Sequence, residues 1–123
     1  MAVARNPEDC DRLFMEAFNN GDLEGLVSLY EEDAAFVEDG GGIARGRDAI
    51  REIMRSFFTQ KLHFTIEATV TQNGDIAHLS SPWTLSGTTP DGQAVSLSGH
   101  GMEVVRRQAD GSWKYIIDNA GWK

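Results

Sequence analysis

The chain has 123 residues and a formal net charge of −8, with 41% hydrophobic and 24% charged residues. This length allows one domain with a substantial core and is too short for two, and the composition is that of a globular protein. The acidic balance argues against non-specific nucleic-acid binding, and no apolar stretch reaches the roughly 20 residues of a membrane span.

The start of the chain and its single cysteine bear on where the protein resides. Residues Met1 to Pro7 contain no apolar core of signal-peptide length. The lone cysteine, Cys10, cannot form an internal disulfide and lies on an apolar helical stripe. We therefore expect a single cytoplasmic domain that spans residues 1–123.

Three helical patterns fill the first half of the chain. Asn6-Pro7 is suited to begin the first helix, whose apolar residues recur at three- and four-residue spacing: Cys10, Leu13, Phe14, Ala17 and Phe18. Asp22 is placed to cap a second helix, which extends to Tyr30. A third helix begins near Arg47 and buries Ile50, Ile53, Met54, Phe57 and Phe58.

From Leu62 onward the apolar pattern alternates with period two, which is typical of strands with one buried face. Turn pairs at 73–74, 91–92 and 110–111 separate four long strands, at about 62–72, 75–88, 93–108 and 112–120. Pro82 predicts a bulge or bend in the second of them, and a short extended piece is expected at 34–38. The sequence therefore predicts an α+β fold, in which three N-terminal helices pack on a strongly curved antiparallel sheet of four long strands plus a short one.

Several short motifs in a fixed order suggest a family. The motifs are Ala17-Phe18-Asn19-Asn20-Gly21-Asp22, Asp33-Ala34, Gly46-Arg47-Asp48-Ala49-Ile50 and Asp110-Gly111-Ser112-Trp113-Lys114. Together they resemble the nuclear transport factor 2-like superfamily, nearest its SnoaL-like, ketosteroid-isomerase-like and SgcJ/EcaC-type branches. That resemblance implies a cone-shaped, cystatin-like roll around an apolar pocket. The superfamily holds isomerases, dehydratases, epoxide hydrolases, polyketide cyclases and non-catalytic binding modules, so the fold alone does not settle the function.

The resemblance to ketosteroid isomerases implies positions for three catalytic groups. Those enzymes combine a carboxylate base with two hydrogen-bond donors, a tyrosine and a neutral carboxylic acid. Counting without a gap from Asp33-Ala34 puts the base at Glu38, and a one-residue bulge puts it at Asp39. The acidic donor falls on Glu103. The tyrosine falls on Phe14, which has no hydroxyl to donate, so an authentic steroid isomerase is not expected.

Two further candidates come from the late strands. Asp118 interrupts an apolar strand, and related SnoaL-like cyclases and epoxide hydrolases use pocket acids there. A simple hairpin through residues 110–111 places Glu103 opposite Asp118, where two inward carboxylates would raise one pKa. His100 is a rival, since a simple hairpin through 91–92 pairs it with Trp83. His100 and Glu103 fall on opposite faces of their strand, and the sequence leaves open which face is inside.

The pocket wall is expected to include Phe14, Phe18, Tyr30, Phe57, Trp83 and Met102. Tyr30 either donates its hydroxyl into the pocket or packs between helices. No metal or other cofactor is predicted, because the three histidines lack a short ligand spacing. Two functions remain open: a cofactor-independent acid–base enzyme of isomerase, cyclase, dehydratase or hydrolase type acting on a small apolar molecule, and a non-catalytic binding or dimerisation module. The resemblance also implies a homodimer through the outer face of the sheet. The acidic charge and the lack of a long apolar stretch argue against a nucleic-acid or membrane partner.

Overall fold

Three helices and seven strands make up the computed structural model, which describes residues 2–122. The helices are α1 (Asp9–Asn19), α2 (Leu23–Val27) and α3 (Arg47–Phe58). The strands are β1 (Tyr30–Val37), β2 (Ile43–Arg45), β3 (Lys61–Ile66), β4 (Thr69–Asn73), β5 (Ile76–Thr88), β6 (Ala94–Arg107) and β7 (Trp113–Asn119). The predicted α+β class, with helices packed on a curved sheet, is confirmed.

One curved sheet contains all the strands, in the order β2-β1-β7-β6-β5-β3, and β4 also pairs with β5. The pairs are antiparallel except for β1 and β7, which run parallel. A parallel strand pair requires a long crossover connection. Here the crossover between β1 and β7 contains β2, α3 and the strands β3 to β6. The short first strand is thereby brought beside the last one.

The first long strand of the sequence prediction is split in two by the structure. β3 pairs with the second half of β5 and β4 pairs with its first half. The break at Glu67 and Ala68 lies beside Pro82, and the Glu67 amide donates to the Pro82 carbonyl at 3.3 Å. Proline has no N–H for the ladder, so the edge pairing is interrupted there while β5 itself continues.

The prediction that Tyr30 belongs to the second helix is wrong. α2 ends at Val27, where the Ser28 hydroxyl donates to the Gly25 carbonyl at 2.6 Å. Tyr30 instead begins β1 and pairs with Tyr115 of β7. This strand register places the Tyr30 side chain on the concave side of the sheet, where it is fully buried.

The core fills the space between the helices and the concave face of the sheet. α1 packs against β3 and β7, while α3 packs against α2, β1 and β3. The opposite, convex face remains in contact with solvent, and Met102 and Ile117 are 49% and 43% exposed there. No helix within residues 2–122 combines the length and apolar character that crossing a bilayer requires.

Candidate functional site

An apolar cavity of about 60 Å³ lies between the helices and the concave sheet. That volume accommodates on the order of four water molecules, or part of a small ligand. Its wall is mostly aromatic and aliphatic, formed by Phe14, Phe18, Phe36, Met54, Phe57, Phe64, Ile66, Trp83, Leu85, Ala120 and Trp122. Such a wall excludes water from most of the interior and strengthens any electrostatic interaction within it.

Three carboxylic acids reach this apolar wall from three different elements. Asp11 comes from α1, Glu103 from β6 and Asp118 from β7, and all three line the cavity. Their exposed fractions are 2%, 3% and 8%. Burying a carboxylate is costly unless it is hydrogen-bonded or protonated, so this concentration of buried acids is unusual for a stable core.

Glu103 and Asp118 face each other across the β6–β7 ladder. Next to the turn, β7 pairs in a register that leaves Ile116 without a partner, because Val105 pairs with Tyr115 and Val104 pairs with Ile117. This one-residue bulge reverses the alternation of the strand, so that Tyr115 and Asp118 both point inward. The predicted Glu103–Asp118 pairing is confirmed.

A hydrogen bond from a tyrosine positions the carboxyl group of Asp118. The Tyr30 hydroxyl donates to Asp118 Oδ2 at 2.5 Å, and both residues are buried. Burial raises the pKa of Asp118 to about 7, although the hydrogen bond from Tyr30 opposes that rise. Asp118 therefore exchanges its proton near neutral pH, which is the range in which a general acid–base group works best.

Asp11 has two donors of its own. Tyr115 donates its hydroxyl to Asp11 Oδ1 at 2.5 Å, and Ser81 donates to Oδ2 at 2.6 Å. Both donors are buried, so these hydrogen bonds hold the Asp11 carboxyl at the side of the cavity.

Glu103 is the least satisfied of the three acids. Its Oε1 atom is buried without a hydrogen-bond partner among the described residues. Burial, followed by the negative charges of Asp118 and Asp11, raises the pKa of Glu103 to about 11. Glu103 is consequently a neutral carboxylic acid at physiological pH, able to donate a hydrogen bond to an oxygen in the cavity.

Comparison with known proteins identifies the family. A sequence profile of the SnoaL-like domain matches residues 12–116 of this chain. The chain belongs to the SnoaL-like domain family. No match to a curated protein sequence reaches significance.

Solved structures share the fold of this SnoaL-like domain at low sequence identity. A ketosteroid isomerase-like protein from Erwinia carotovora atroseptica has a TM-score of 0.79 and 23% identity, over 91% of this chain and 89% of that one. A nuclear transport factor 2-like protein with a cystatin-like fold from Novosphingobium aromaticivorans has a TM-score of 0.77 and 22% identity, over 91% and 76%. The calcium/calmodulin-dependent protein kinase II hub of S. rosetta has a TM-score of 0.79 and 16% identity, over 96% and 98%.

Most of the aromatic residues expected in the wall of this SnoaL-like domain do line the cavity: Phe14, Phe18, Phe57 and Trp83. Phe14, on which the family resemblance puts the isomerase tyrosine, meets the ring of Tyr115 edge-on, with centroids 6.4 Å apart. Tyr30 does not contribute to the lining, since it stands behind Asp118, and it contacts the site through that carboxyl and through the ring of Tyr115, with centroids 4.8 Å apart. The expectation that Tyr30 binds substrate is corrected to a positioning contact.

Glu38 and Asp39 are not part of the cavity. Both are exposed in the turn that follows β1, where the Glu38 amide donates to the Gly42 carbonyl at 2.8 Å. The strand runs out at Val37, so the chain leaves the concave face before it reaches either acid. The position counted from Asp33-Ala34 thus carries a carboxylate, but one that points into solvent.

His100 and Met102 lie on the convex face, outside the cavity. The loop from Thr89 to Gln93 is closed by the Thr89 amide donating to the Gln93 carbonyl, which centres the turn on one residue rather than two. His100 therefore pairs with Pro82 instead of Trp83, and its Nε2 lies 2.7 Å from the Ser80 hydroxyl. The expected roles of His100 in catalysis and of Met102 in substrate binding are corrected by this register.

The predicted site lacked several apolar wall residues and also four residues with polar groups: Asp11, Ser81, Tyr115 and Trp122. Asp11 had a detectable signal, because it precedes Phe14 and Phe18 by three and seven residues and so shares their helical face. Cys10, one residue away, is buried and its thiol faces the Trp113 carbonyl at 3.5 Å. Burial raises the pKa of the Cys10 thiol far above its ordinary value, which leaves it inert as a nucleophile.

The acids of the cavity do not form a metal centre. Within residues 2–122, no three side chains of the His, Cys, Asp and Glu types are arranged to hold a metal ion. The chemistry available to this arrangement is proton transfer between carboxyl groups and a bound molecule.

Proposed function

We propose that this protein is a cofactor-independent acid–base enzyme that acts on a small, mainly apolar molecule carrying a carbonyl group. The observation that carries the proposal is the Glu103–Asp118 pair, two carboxyl groups opposite each other in an otherwise aromatic cavity. A reaction that uses one acid and one base requires two groups with different proton affinities. Two carboxyl groups acquire that difference when their surroundings differ.

In the proposed reaction Asp118 is the base and Glu103 is the neutral donor. Asp118 removes a proton from the carbon next to the substrate carbonyl, and the electron pair moves onto the carbonyl oxygen. Glu103 donates a hydrogen bond to that oxygen while its negative charge develops, which the low dielectric of the cavity makes more effective. Asp118 then returns the proton to the same carbon or to a conjugated one, so that the enzyme ends as it began.

Tyr30 and Asp11 support this division of roles. Tyr30 fixes one oxygen of Asp118 and leaves the other for the substrate. Asp11 accepts hydrogen bonds from Tyr115 and Ser81, and both its negative charge and side-chain hydrogen bonding with Glu103 favour the protonated form of Glu103. The similarity to a ketosteroid isomerase-like protein, at 23% identity, supports the fold that this chemistry needs.

The proposal is tested by the exchange of α-protons of acetophenone for deuterium in buffered D₂O, followed by proton NMR. The wild-type protein is expected to accelerate exchange, and Asp118→Asn and Glu103→Gln are each expected to reduce the enzymatic rate at least about 100-fold. Asp33→Asn and Glu67→Gln, which alter exposed acids of the same types, serve as matched controls and should retain the wild-type rate. Equal rates in all five proteins would contradict the proposal.

A second role, assembly, is favoured by the convex face of the sheet. Val104 pairs with Ile117 there, Met102 is 49% exposed, and the neighbouring strand adds Ala35 opposite Ile117. Apolar side chains of this size on an open sheet face are typical of an interface. We propose that a second copy of the chain covers this face in a homodimer, an arrangement compatible with catalysis because the cavity lies on the other side of the sheet.

A further inference from the structure

The carboxyl groups of Asp11 and Glu103 lie over the same rung of the β5–β6 ladder. Ser81 of β5 pairs directly with Gly101 of β6, and both residues are buried on the concave side. The Ser81 hydroxyl donates to Asp11 Oδ2 at 2.6 Å, which fixes the Asp11 carboxyl above this rung. Glu103 follows Gly101 by two residues and therefore points to the same side of β6. The helix and the sheet thus bring two acids to one place.

Gly101 provides the space in which the Glu103 carboxyl lies. A Cβ atom at position 101 would overlap Glu103 Oε2 and would come within 3.2 Å of the Ser81 carbonyl oxygen. The Glu103 side chain is therefore folded back over the preceding inward residue of its own strand. Only glycine leaves this volume free, so the residue at position 101 determines where the Glu103 carboxyl is placed.

The hydrogen bonds around Asp11 indicate where the proton of Glu103 is directed. Asp11 accepts from the Tyr115 hydroxyl at Oδ1 and from the Ser81 hydroxyl at Oδ2. A carboxylate has about four lone-pair sites, so Asp11 retains the capacity to accept a third donor. Glu103 Oε1 has no hydrogen-bond partner among the described residues. A proton on Glu103 Oε2 makes Oε1 an uncharged carbonyl oxygen, for which the lack of a partner costs less than for a charged one.

The charges around Glu103 favour a single proton on the pair. Two carboxyl groups that share a buried site do not both ionise, because like charges repel strongly at low dielectric. Burial, the charges of Asp118 and Asp11, and side-chain hydrogen bonding with Asp11 raise the pKa of Glu103 to about 11. Burial likewise raises the pKa of the other titratable groups that interact with Glu103, which are therefore uncharged at neutral pH: Cys10 of α1, Tyr30 of β1 and Tyr115 of β7.

We infer that Asp11 and Glu103 hold one proton between them, carried on Glu103 Oε2 and directed at Asp11, and that Asp11 and Gly101 are positioning residues for the donor of the reaction. The inference rests on the proposed function for its catalytic meaning. In the resting protein Asp11 accepts the Glu103 proton, and the substrate oxygen replaces Asp11 as the acceptor when negative charge develops on it. Asp11 and Gly101 act on the reaction only through Glu103.

The titration of Glu103 tests the pair without any need for turnover. It is followed by carbon-13 NMR of protein labelled at the glutamate side-chain carboxyl, and Glu103→Gln identifies the resonance by removing it. In the wild type the Glu103 carbon should remain at the position of a neutral acid from about pH 5 to about pH 9. Ionisation within this range would overturn the inference, and that result does not depend on how well an Asp11 or Gly101 variant folds.

Asp11→Asn removes the negative charge of the acceptor while keeping the shape of the side chain. The midpoint of the Glu103 titration should fall by at least about one pH unit relative to the wild type, because the loss of a hydrogen bond to a charged group changes an equilibrium about tenfold. Asp33→Asn makes the same substitution at an exposed position and should leave the midpoint unchanged. Equal midpoints in Asp11→Asn and the wild type would overturn the inference.

Gly101→Ala tests the space beneath the Glu103 carboxyl. The added methyl group meets the end of a flexible side chain, so the carboxyl should move away from Asp11 while the fold is retained. The titration midpoint should fall as it does in Asp11→Asn, and the double variant should show little additional change, since both substitutions break the same contact. Gly42→Ala, at an exposed glycine, should have no effect. A midpoint that Gly101→Ala leaves unchanged, or additive changes in the double variant, would contradict the role of Gly101.

The outcome is separable from that of the proposed function. If both hold, Asp11→Asn should move the alkaline decline of acetophenone exchange to lower pH by the same amount as the NMR midpoint, because the reaction needs the protonated form of Glu103. A shifted NMR midpoint without any exchange would refute the enzyme while supporting the carboxyl pair. Exchange by the wild type, together with a midpoint that Asp11→Asn does not shift, would refute the pair and leave the enzyme.

Discussion

Tyr30 and Asp118 are 88 residues apart in the chain and are joined by a 2.5 Å hydrogen bond in the buried interior. The parallel pairing of β1 with β7 makes this possible, because it sets the first strand of the protein beside the last. The tyrosine is fully buried, so its hydroxyl has no competing partner in water. Burial has the largest effect on the proton affinity of Asp118, and this hydrogen bond from a residue distant in the sequence opposes it.

Replacing Tyr30 by Phe should shift the pH dependence of the reaction. The hydrogen bond lowers the pKa of Asp118 from the value that burial alone would impose, and the wild-type rate should rise with pH through an inflection near the resulting pKa of about 7. Without the hydroxyl the pKa rises, and the inflection moves to higher pH. A hydrogen bond to a charged group contributes about 1.5 kcal/mol at the low end, so the rate at pH 6 should fall roughly tenfold.

The measurement is the pH–rate profile of acetophenone exchange for Tyr30→Phe beside Tyr115→Phe. Tyr115 is an equally buried tyrosine whose hydroxyl serves Asp11 instead. Its variant should move the inflection less. An unchanged inflection in Tyr30→Phe would show that the hydrogen bond does not govern the titration of Asp118.

Glu103→Gln should change how stability depends on pH. The folded protein keeps a proton on Glu103, whose pKa is raised to about 11, while the unfolded chain releases it near the ordinary value of about 4.3. The folded state thus binds more protons between these values, and stability falls as pH rises through that window. A glutamine cannot ionise, so the variant is free of this loss.

Thermal unfolding followed at pH 5 and pH 9 checks this expectation. The difference in Tm, variant minus wild type, should become more positive by at least about 4 °C, which corresponds to about 1 kcal/mol for a domain of this size. Glu67→Gln, at an exposed position, should show no such trend. A difference that stays constant or becomes more negative with pH would mean that Glu103 is ionised in the folded protein.

Glu38→Gln and Asp39→Asn should leave α-proton exchange close to the wild-type rate. Both side chains are exposed in the turn after β1 and do not line the cavity. Rates and melting temperatures of the two variants provide the check. A loss of rate comparable to that of Asp118→Asn would restore the position that the family resemblance implied for the base.

A charge on the convex face should separate the proposed homodimer. Met102→Glu combined with Ile117→Glu places two carboxylates at the centre of the apolar patch, where they would meet their own copies across a two-fold axis. Light scattering coupled to size exclusion should report a dimer for the wild type and a monomer for the variant. Val3→Glu, which alters an exposed apolar residue elsewhere, should remain dimeric. A monomeric wild type would refute the dimer directly.

Much of this fold can be predicted from local patterns in the sequence. Period-two alternation and three glycine turns locate the long strands after residue 74 to within about two residues, since burial of one strand face imposes that pattern. The parallel contact of β1 with β7 is not predictable in this way, because no local signal encodes a pairing between strands so far apart. The prediction for Tyr30 fails for that reason, because Tyr30 continues the helical spacing of Leu23, Leu26 and Val27 in the sequence.

The sequence predicts which residues of the site face each other only where it also predicts the length of the turn between their strands. For Glu103 and Asp118 the predicted pairing is confirmed, although the turn is offset by one residue and the bulge at Ile116 restores the register. For His100 a similar offset at the preceding turn has nothing to cancel it. Asp11 comes from a helix that packs across the sheet, and its meeting with Ser81 and Tyr115 depends on tertiary packing that spacing does not specify.

The bulge at Ile116 determines which residue of β7 faces the cavity, Asp118 or Ile117. If β7 continued its regular alternation from Tyr115, Ile117 would point inward and Asp118 would lie on the convex face. That slipped chain would bury a hydrocarbon side chain where the acid now stands, and would expose a carboxylate where Ile117 is now 43% exposed. By ordinary measures of hydrophobic burial the slipped register is the more favourable one. A single unpaired residue thus separates a chamber that holds this acid from one that lacks it, and a deletion in the strand would remove the acid and also shift Ala120 and Trp122, which follow it in the chain and line the cavity.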